Sequence, residues 1–229
     1  MTSFQGQHVL VVGGSSGMGR GAARALAARG AAVTVTSRSS ERVPAAVAAV
    51  LDGLEPADGS PSTGPVDGVP CDLSDQQSVR AAVAAPPRLD HLVVTAAPAA
   101  GGTDRDFFDG KFWGSRWAAE AAGPRLPPTG SILLVSGGLA VRPTPGQWSV
   151  TCAFAAVEAL ARALAVELAP ARANCIRPGL FDTATWDGMD PEERASFLAR
   201  RAAVLPAGRA RRSRRTSASP PSACWPRRT

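Results

Sequence analysis

The residues best placed to do chemistry are a glycine-rich run, Gly13-Gly14-Ser15-Ser16-Gly17-Met18-Gly19, and two isolated polar side chains, Lys111 and Ser136. The run lies between an apolar stretch, His8–Val12, and an alanine-rich stretch with helical spacing. Glycine there permits positive φ and lets a phosphate reach the backbone. The next helix then offers free N–H groups and the positive end of its dipole. Between a first strand and a first helix, such a run predicts a pyrophosphate site rather than only a tight turn. Lys111 is the only lysine, and the chain has no tyrosine. Its neighbours Phe112-Trp113-Gly114 are apolar, and a desolvated lysine can act as acid or base; a structural or surface lysine is the alternative. Ser136 ends an apolar stretch and either donates to a carbonyl or caps a strand end. Trp148 reads as core rather than pocket, His91 as a packed strand residue and His8 as the residue that opens its strand. Asp104, Asp106 and Asp109 suit the start of a helix. Nothing has metal-ligand spacing.

These residues need a scaffold, and the hydrophobic pattern supplies one. Strands are expected at His8–Val12, Ala32–Thr36, Gly68–Cys71, Leu89–Thr95, Ser131–Ser136 and Arg172–Ile176. Helices are expected at Gly17–Arg29, Glu41–Leu51, Ser74–Ala85 (capped by Ser74), Asp104–Ala122, Trp148–Leu168 and Pro191–Val204. The alternation predicts one α/β domain, a Rossmann-type doubly wound parallel sheet, over residues 1–208.

A length of 229 residues and 45% hydrophobic content fit such a domain with a full core. No apolar run reaches the roughly 18 residues of a bilayer span, and Met1–His8 is polar, so neither a membrane segment nor a signal peptide is expected. Cys71, Cys152, Cys175 and Cys224 form no CxxC pair and read as reduced thiols of a cytoplasmic protein. The net charge of +6 is carried by the tail. Removing the seven arginines after Gly208 leaves −1 for residues 1–208, so nucleic acid is not an expected partner of the body. Residues 209–229 are Arg/Ser/Pro-rich and expected to be disordered.

The spacing Gly13-x-x-x-Gly17-x-Gly19 resembles the cofactor loop of short-chain dehydrogenases/reductases, with Val12 in place of the usual threonine. Cys71-Asp72-Leu73 resembles that family's adenine-contacting pair, and Leu89–Val93 its fourth strand. Asn174 and Pro178-Gly179, with Thr183 beyond, resemble its segment near the nicotinamide. The resemblance spans roughly residues 5–205. It implies a cofactor site of Gly13, Ser15, Ser16, Gly17, Met18, Gly19, Ser37, Arg38, Asp72, Leu73, Thr95, Ala96, Pro178, Gly179 and Thr183. Ser37 carries no charge to repel a 2′-phosphate and Arg38 can pair with one, which favours NADP(H) over NAD(H); a solvated surface arginine is the alternative. The implied activity is oxidoreduction of a small carbonyl or alcohol compound, in a homo-oligomer.

The family's catalytic set is a Ser, a Tyr, a Lys four residues after the Tyr, and a supporting Asn. Here those positions fall on Gly137, Val150, Phe154 and Lys111, with Ser136 one residue before the first. The fourth strand's Asn-Asn-Ala-Gly becomes Val94-Thr95-Ala96-Ala97. Lys111 and Ser136 are thus the remaining catalytic candidates. Two other readings stay open: a non-redox cyclase, isomerase or dehydratase on the same scaffold, and an inactive NADP(H)-binding or regulatory protein. The tail also departs from the family, which continues with a helix and a last strand. A GC-rich gene read two bases later over residues 210–228 would give an amphipathic helix like the family's, so a frameshift is one explanation and a basic arm another. With the tail as written, the sheet is expected to lack its C-terminal strand.

Overall fold

The computed structural model describes residues 3–57, 60–98, 102–179, 181–182, 189–203 and 211–212. Six parallel strands form one sheet in the order β3-β2-β1-β4-β5-β6: β1 His8–Val12, β2 Ala32–Ser37, β3 Val66–Pro70, β4 His91–Val94, β5 Ser131–Val135 and β6 Arg172–Ile176. Every residue of β1 is buried, as a central parallel strand covered on both faces requires. Alternate side chains feed two cores. Leu10, Leu92, Ile132 and Leu134 pack on one face with Ala118 and Val157; Val9, Val11, Val33 and Val35 pack on the other with Ala23 and Val50.

The helices are α1 Gly17–Ala27, α2 Val43–Leu51, α3 Gln76–Ala84, α4 Asp104–Phe108, α5 Gly114–Ala122, α6 Trp148–Glu167 and α7 Pro191–Ala203. Two differ from the sequence expectation for local reasons. Asp75, not Ser74, caps α3, its carboxylate accepting from Gln77 N–H at 2.9 Å; the Ser74 N–H is already held by Asp72 at 2.9 Å. The single helix expected over Asp104–Ala122 is interrupted by a π-helical turn, Asp109–Trp113. Gly110 fits there because a Cβ would lie 2.6 Å from Pro98 Cγ, and the Ser115 hydroxyl donates to the Lys111 carbonyl at 2.7 Å. Such a turn rotates its residues relative to a regular helix, and Lys111 is buried. The acids fall as expected at the start of α4, where Thr103 and Asp106 form a capping box.

α6 is long and apolar enough to cross a membrane by length and composition alone, which the search for an unbroken apolar run did not register. In the fold it lies on the sheet, with Ala153, Val157, Ala161 and Leu164 buried. Trp148, expected in the core, is 69% exposed at its start. β6 is the outer strand of the sheet, and among the described residues no seventh strand joins it. Two short strands, β7 Phe181–Asp182 and β8 Arg211–Arg212, pair with each other apart from it. The rest of 209–229 and Val204 lie outside the described residues.

Candidate active site

In a parallel sheet the strand order reverses at one point, and the carboxyl ends flanking it open a crevice. Here β1 lies between β2 and β4, so the crevice falls between Val12 and Val94. The glycine run leaves β1 at that point. Gly13 has φ +92°, and a Cβ on it would sit 2.6 Å from the Ala96 nitrogen, just past β4. Gly19, in the first turn of α1, is pressed against the Gly13 carbonyl and the Thr95 hydroxyl, so a Cβ there has no room. The loop is tied down by its neighbours. Gly13 N–H donates to the Thr36 hydroxyl at 3.1 Å, and the Thr95 hydroxyl lies 3.2 Å from the carbonyls of Val12 and Gly13.

The first turn of α1 carries neither an acid nor a capping side chain, for Ser16 is extended and makes no side-chain cap bond. Among the described residues no side chain caps its first N–H groups, which leaves the donor set a pyrophosphate needs. Ser15 and Met18 are half-buried and Ser16 is exposed beside them. Ser37 is buried, and its carbonyl accepts from Cys71 N–H at 2.7 Å, drawing the end of β2 to the end of β3. Arg38 follows, exposed and without a protein partner among the described residues. Asp72 is exposed, with one carboxylate oxygen on Ser74 N–H, while Leu73 is buried in the core. Thr95 and Ala96 thus adjoin the glycine run, whereas Pro178 and Gly179 follow β6. Thr183 lies outside the described residues.

The two catalytic candidates are held by different partners. Lys111 is 2% exposed, and its Nζ donates to the Ala96 carbonyl at 2.9 Å, under the crevice. Burial drives its ammonium down from 10.5 to about 8, with only a small opposing contribution from Cys175. Ser136 is buried, and its hydroxyl donates to Glu158 Oε1 at 2.7 Å. Glu158 also accepts from Arg177 Nε at 2.8 Å, and this arginine first, then burial acting the other way, sets a carboxyl held below its usual range. The Ser136–Glu158–Arg177 chain was not foreseen. It borders an open cleft of about 400 Å³ between α6 and β6, on the flank of the sheet rather than at the glycine run.

The remaining wall is apolar. Val150 and Phe154 stand one turn apart on α6, both half-buried. The Phe154 ring lies on Gly137, where a Cβ would overlap its Cε2, and meets Phe107 edge-on with centroids 5.8 Å apart. Phe154 therefore fills the space a serine at 137 would need. A small residue at 137 beside a large one at 154 was the available sequence signal for this packing. The hydroxyls of Ser149 and Thr151, flanking Val150, are buried without a hydrogen-bond partner. The histidines open β1 and β4, at the amino ends of the strands: His8 Nε2 pairs with Thr34 Oγ1 at 2.7 Å, and His91 with Ser131 and Gln7. Burial lowers both imidazoles below their usual value.

A family model described as enoyl-(acyl carrier protein) reductase matches residues 12–216. The chain is 30% identical to short-chain dehydrogenase/reductase fsr5 of Gibberella fujikuroi over 205 aligned positions, covering 81% of this chain and 76% of that one. Against short-chain dehydrogenase/reductase ATR9 of Stachybotrys chlorohalonatus the identity is 31%, covering 78% and 75%. Among solved structures, the MalC reductase/Diels-Alderase from Malbranchea aurantiaca superposes with a TM-score of 0.79 at 25% identity, covering 91% of this chain and 86% of that one. A small-chain dehydrogenase in complex with NADPH gives 0.69 at 28% identity, covering 90% and 85%.

Proposed function

Because this chain belongs to the short-chain dehydrogenase/reductase family, we propose that it binds NADP(H) in preference to NAD(H) and acts as an oxidoreductase on a small carbonyl or alcohol compound through a non-standard site. The observation that carries the cofactor reading is the uncapped start of α1 behind the constrained Gly13–Gly19 turn, with Arg38 unpartnered at the end of β2. The α1 N–H groups hold the pyrophosphate, Ser37 leaves room for a 2′-phosphate and Arg38 pairs with it. Asp72 and the backbone of Leu73 would contact the adenine, and Thr95, Ala96, Pro178 and Gly179 would frame the nicotinamide end, where the family resemblance also points to Thr183. The bound nicotinamide supplies or accepts hydride.

The chain's own part is the proton and the enclosure. Lys111, lowered to about 8 by burial, changes charge near neutral pH and is held by the Ala96 carbonyl beside the glycine run. Ser136 acts at one remove, since its hydroxyl is committed to Glu158 and it steadies the end of β6. A non-redox reaction is the second reading. It is favoured by the apolar wall of Val150 and Phe154, and a structural neighbour carries the name reductase/Diels-Alderase. We place the activity in the cytoplasm.

The test is a tryptophan-fluorescence titration with NADPH and NADH in parallel, on the wild type and Arg38→Ala. NADPH binding is expected about tenfold tighter than NADH, with the gap closed by the substitution, equivalent to about 1.4 kcal/mol. Equal affinity for the two cofactors in the wild type overturns the preference.

A further inference from the structure

The cleft between α6 and β6 lies on the outer flank of the sheet, away from the glycine run, and what it binds does not depend on the NADP(H) reading above. We propose that this cleft is a second ligand site, which takes a small organic carboxylate between Arg162 and Arg177.

The floor is made of small side chains. On α6, Ala161 and Ala165 stand one turn apart, and so do Glu158 and Arg162, which sets a row of methyl groups beside a row of charges. On β6, Ala173 and Cys175 face the helix, and Arg177 follows the strand. Three alanines where larger residues would close the gap leave about 400 Å³, at the small end of the roughly 300–1,000 Å³ usual for ligand pockets.

The rim supplies donors that the protein leaves unused. Glu158 accepts from Arg177 through Nε at 2.8 Å and through Nη2, and from the buried Ser136 hydroxyl at 2.7 Å. Arg177 is thus fixed in place, while its Nη1 has no partner among the described residues. Arg162 makes no hydrogen bond or ion pair among the described residues, although it lines the same cleft. The strand edge adds a backbone donor. Arg172 N–H donates to Gly130, and the Ile176 carbonyl accepts from Ser136 N–H, so the alternation along β6 turns the Cys175 N–H away from β5.

Charge selects the ligand. Two arginines against one glutamate give the lining a net charge of +1, which a carboxylate cancels. A phosphate monoester, at about −1.5 to −2 near neutral pH, brings excess negative charge beside Glu158. The planar guanidinium fork of Arg162 matches both oxygens of a carboxylate, and the alanine methyls cover a short apolar body.

The experiment is calorimetry on the full chain with benzoate, alongside benzyl alcohol as its neutral counterpart and inorganic phosphate as an anion without a body. Benzoate should bind saturably and more tightly than either. Arg162→Gln, which removes the unused charge, should weaken benzoate at least about tenfold. Ala165→Phe, which fills the floor, should abolish the binding. Both positions are exposed, so both variants should fold, as circular dichroism checks. Benzoate affinity should be unchanged when NADPH is present. Failure of benzoate to saturate the folded wild type, or affinity indifferent to both substitutions, overturns the proposal. Phosphate or benzyl alcohol binding as tightly as benzoate overturns the carboxylate assignment. Competition between benzoate and NADPH would place the acid in the crevice instead and overturn the second site.

Discussion

The two sides of the crevice are built from different material. On the β1–β2–β3 side the proposed site is mostly backbone, the Gly13 turn, the close pass of Gly19 and the start of α1, with Arg38 and Asp72 as its side chains. On the β4–β5–β6 side the family resemblance implies chemistry by side chains, and the positions it points to hold Lys111, Gly137, Val150 and Phe154. A backbone site survives wide sequence change as long as a few glycines remain. A side-chain site is erased by three or four substitutions. The erasure is packed, however: Phe154 occupies the volume that Gly137 vacates and leans on Phe107. The two positions touch, so this part of the wall is packed and apolar rather than left with a void.

The contrast can be broken most sharply at Gly19. A Cβ there collides with the Gly13 carbonyl, which is backbone and cannot step aside. Gly19→Ala should cost more than about 100-fold in NADPH affinity, which is about 2.7 kcal/mol, while circular dichroism confirms a folded sheet. Unchanged affinity would mean that the turn does not shape the site.

Lys111 sharpens the comparison from the other side. Its pKa is about 8 folded and about 10.5 unfolded, so between those values the unfolded chain binds more protons and stability rises with pH. A depression of this size corresponds to about 3 kcal/mol. Lys111→Met keeps the bulk and removes the charge. The stability difference between Lys111→Met and wild type, from urea midpoints, should therefore shrink by about 3 kcal/mol from pH 8 to pH 10.5. Measuring a difference cancels Cys71, whose thiol, pushed up to about 12, acts in the opposite sense. A pH-independent difference would place Lys111 in water.

A smaller effect tests the coupling itself. Gly137→Ser alone should destabilise by about 2 kcal/mol through overpacking against Phe154, and Gly137→Ser with Phe154→Lys by clearly less than the sum of the two single changes. Additive thermal-melt shifts would show that the two residues drifted independently.

Most of the scaffold was legible in the sequence because it rests on local signals. β1 and β6 fall where the apolar runs place them, and the glycine run sits where a strand feeds a helix. The misses have identifiable causes. The π-helical turn at Asp109–Trp113 brings Gly110 so near Pro98 that a Cβ has no room, a proximity between residues separate in sequence that periodicity does not report. Ser136 stands next to the serine position, but adjacent residues at a strand end face opposite sides, so one step turned its hydroxyl toward Glu158 and Arg177. Trp148 looked like core because it opens an apolar helix; its burial depends on what the preceding loop covers, which periodicity cannot report. Lys111 was singled out for its solitude among apolar residues, and its burial followed from the same pattern.

A working dinucleotide site beside an apolar wall would bind cofactor whatever stands at positions 137, 150 and 154. Calorimetric titration of NADPH into the wild-type protein and into the triple variant Gly137→Ser, Val150→Tyr, Phe154→Lys tests it directly. Saturable NADPH binding is expected in both, with simple aliphatic ketones reduced faster by the triple variant. Absence of NADPH binding to the wild-type protein, with the chain folded, would contradict it.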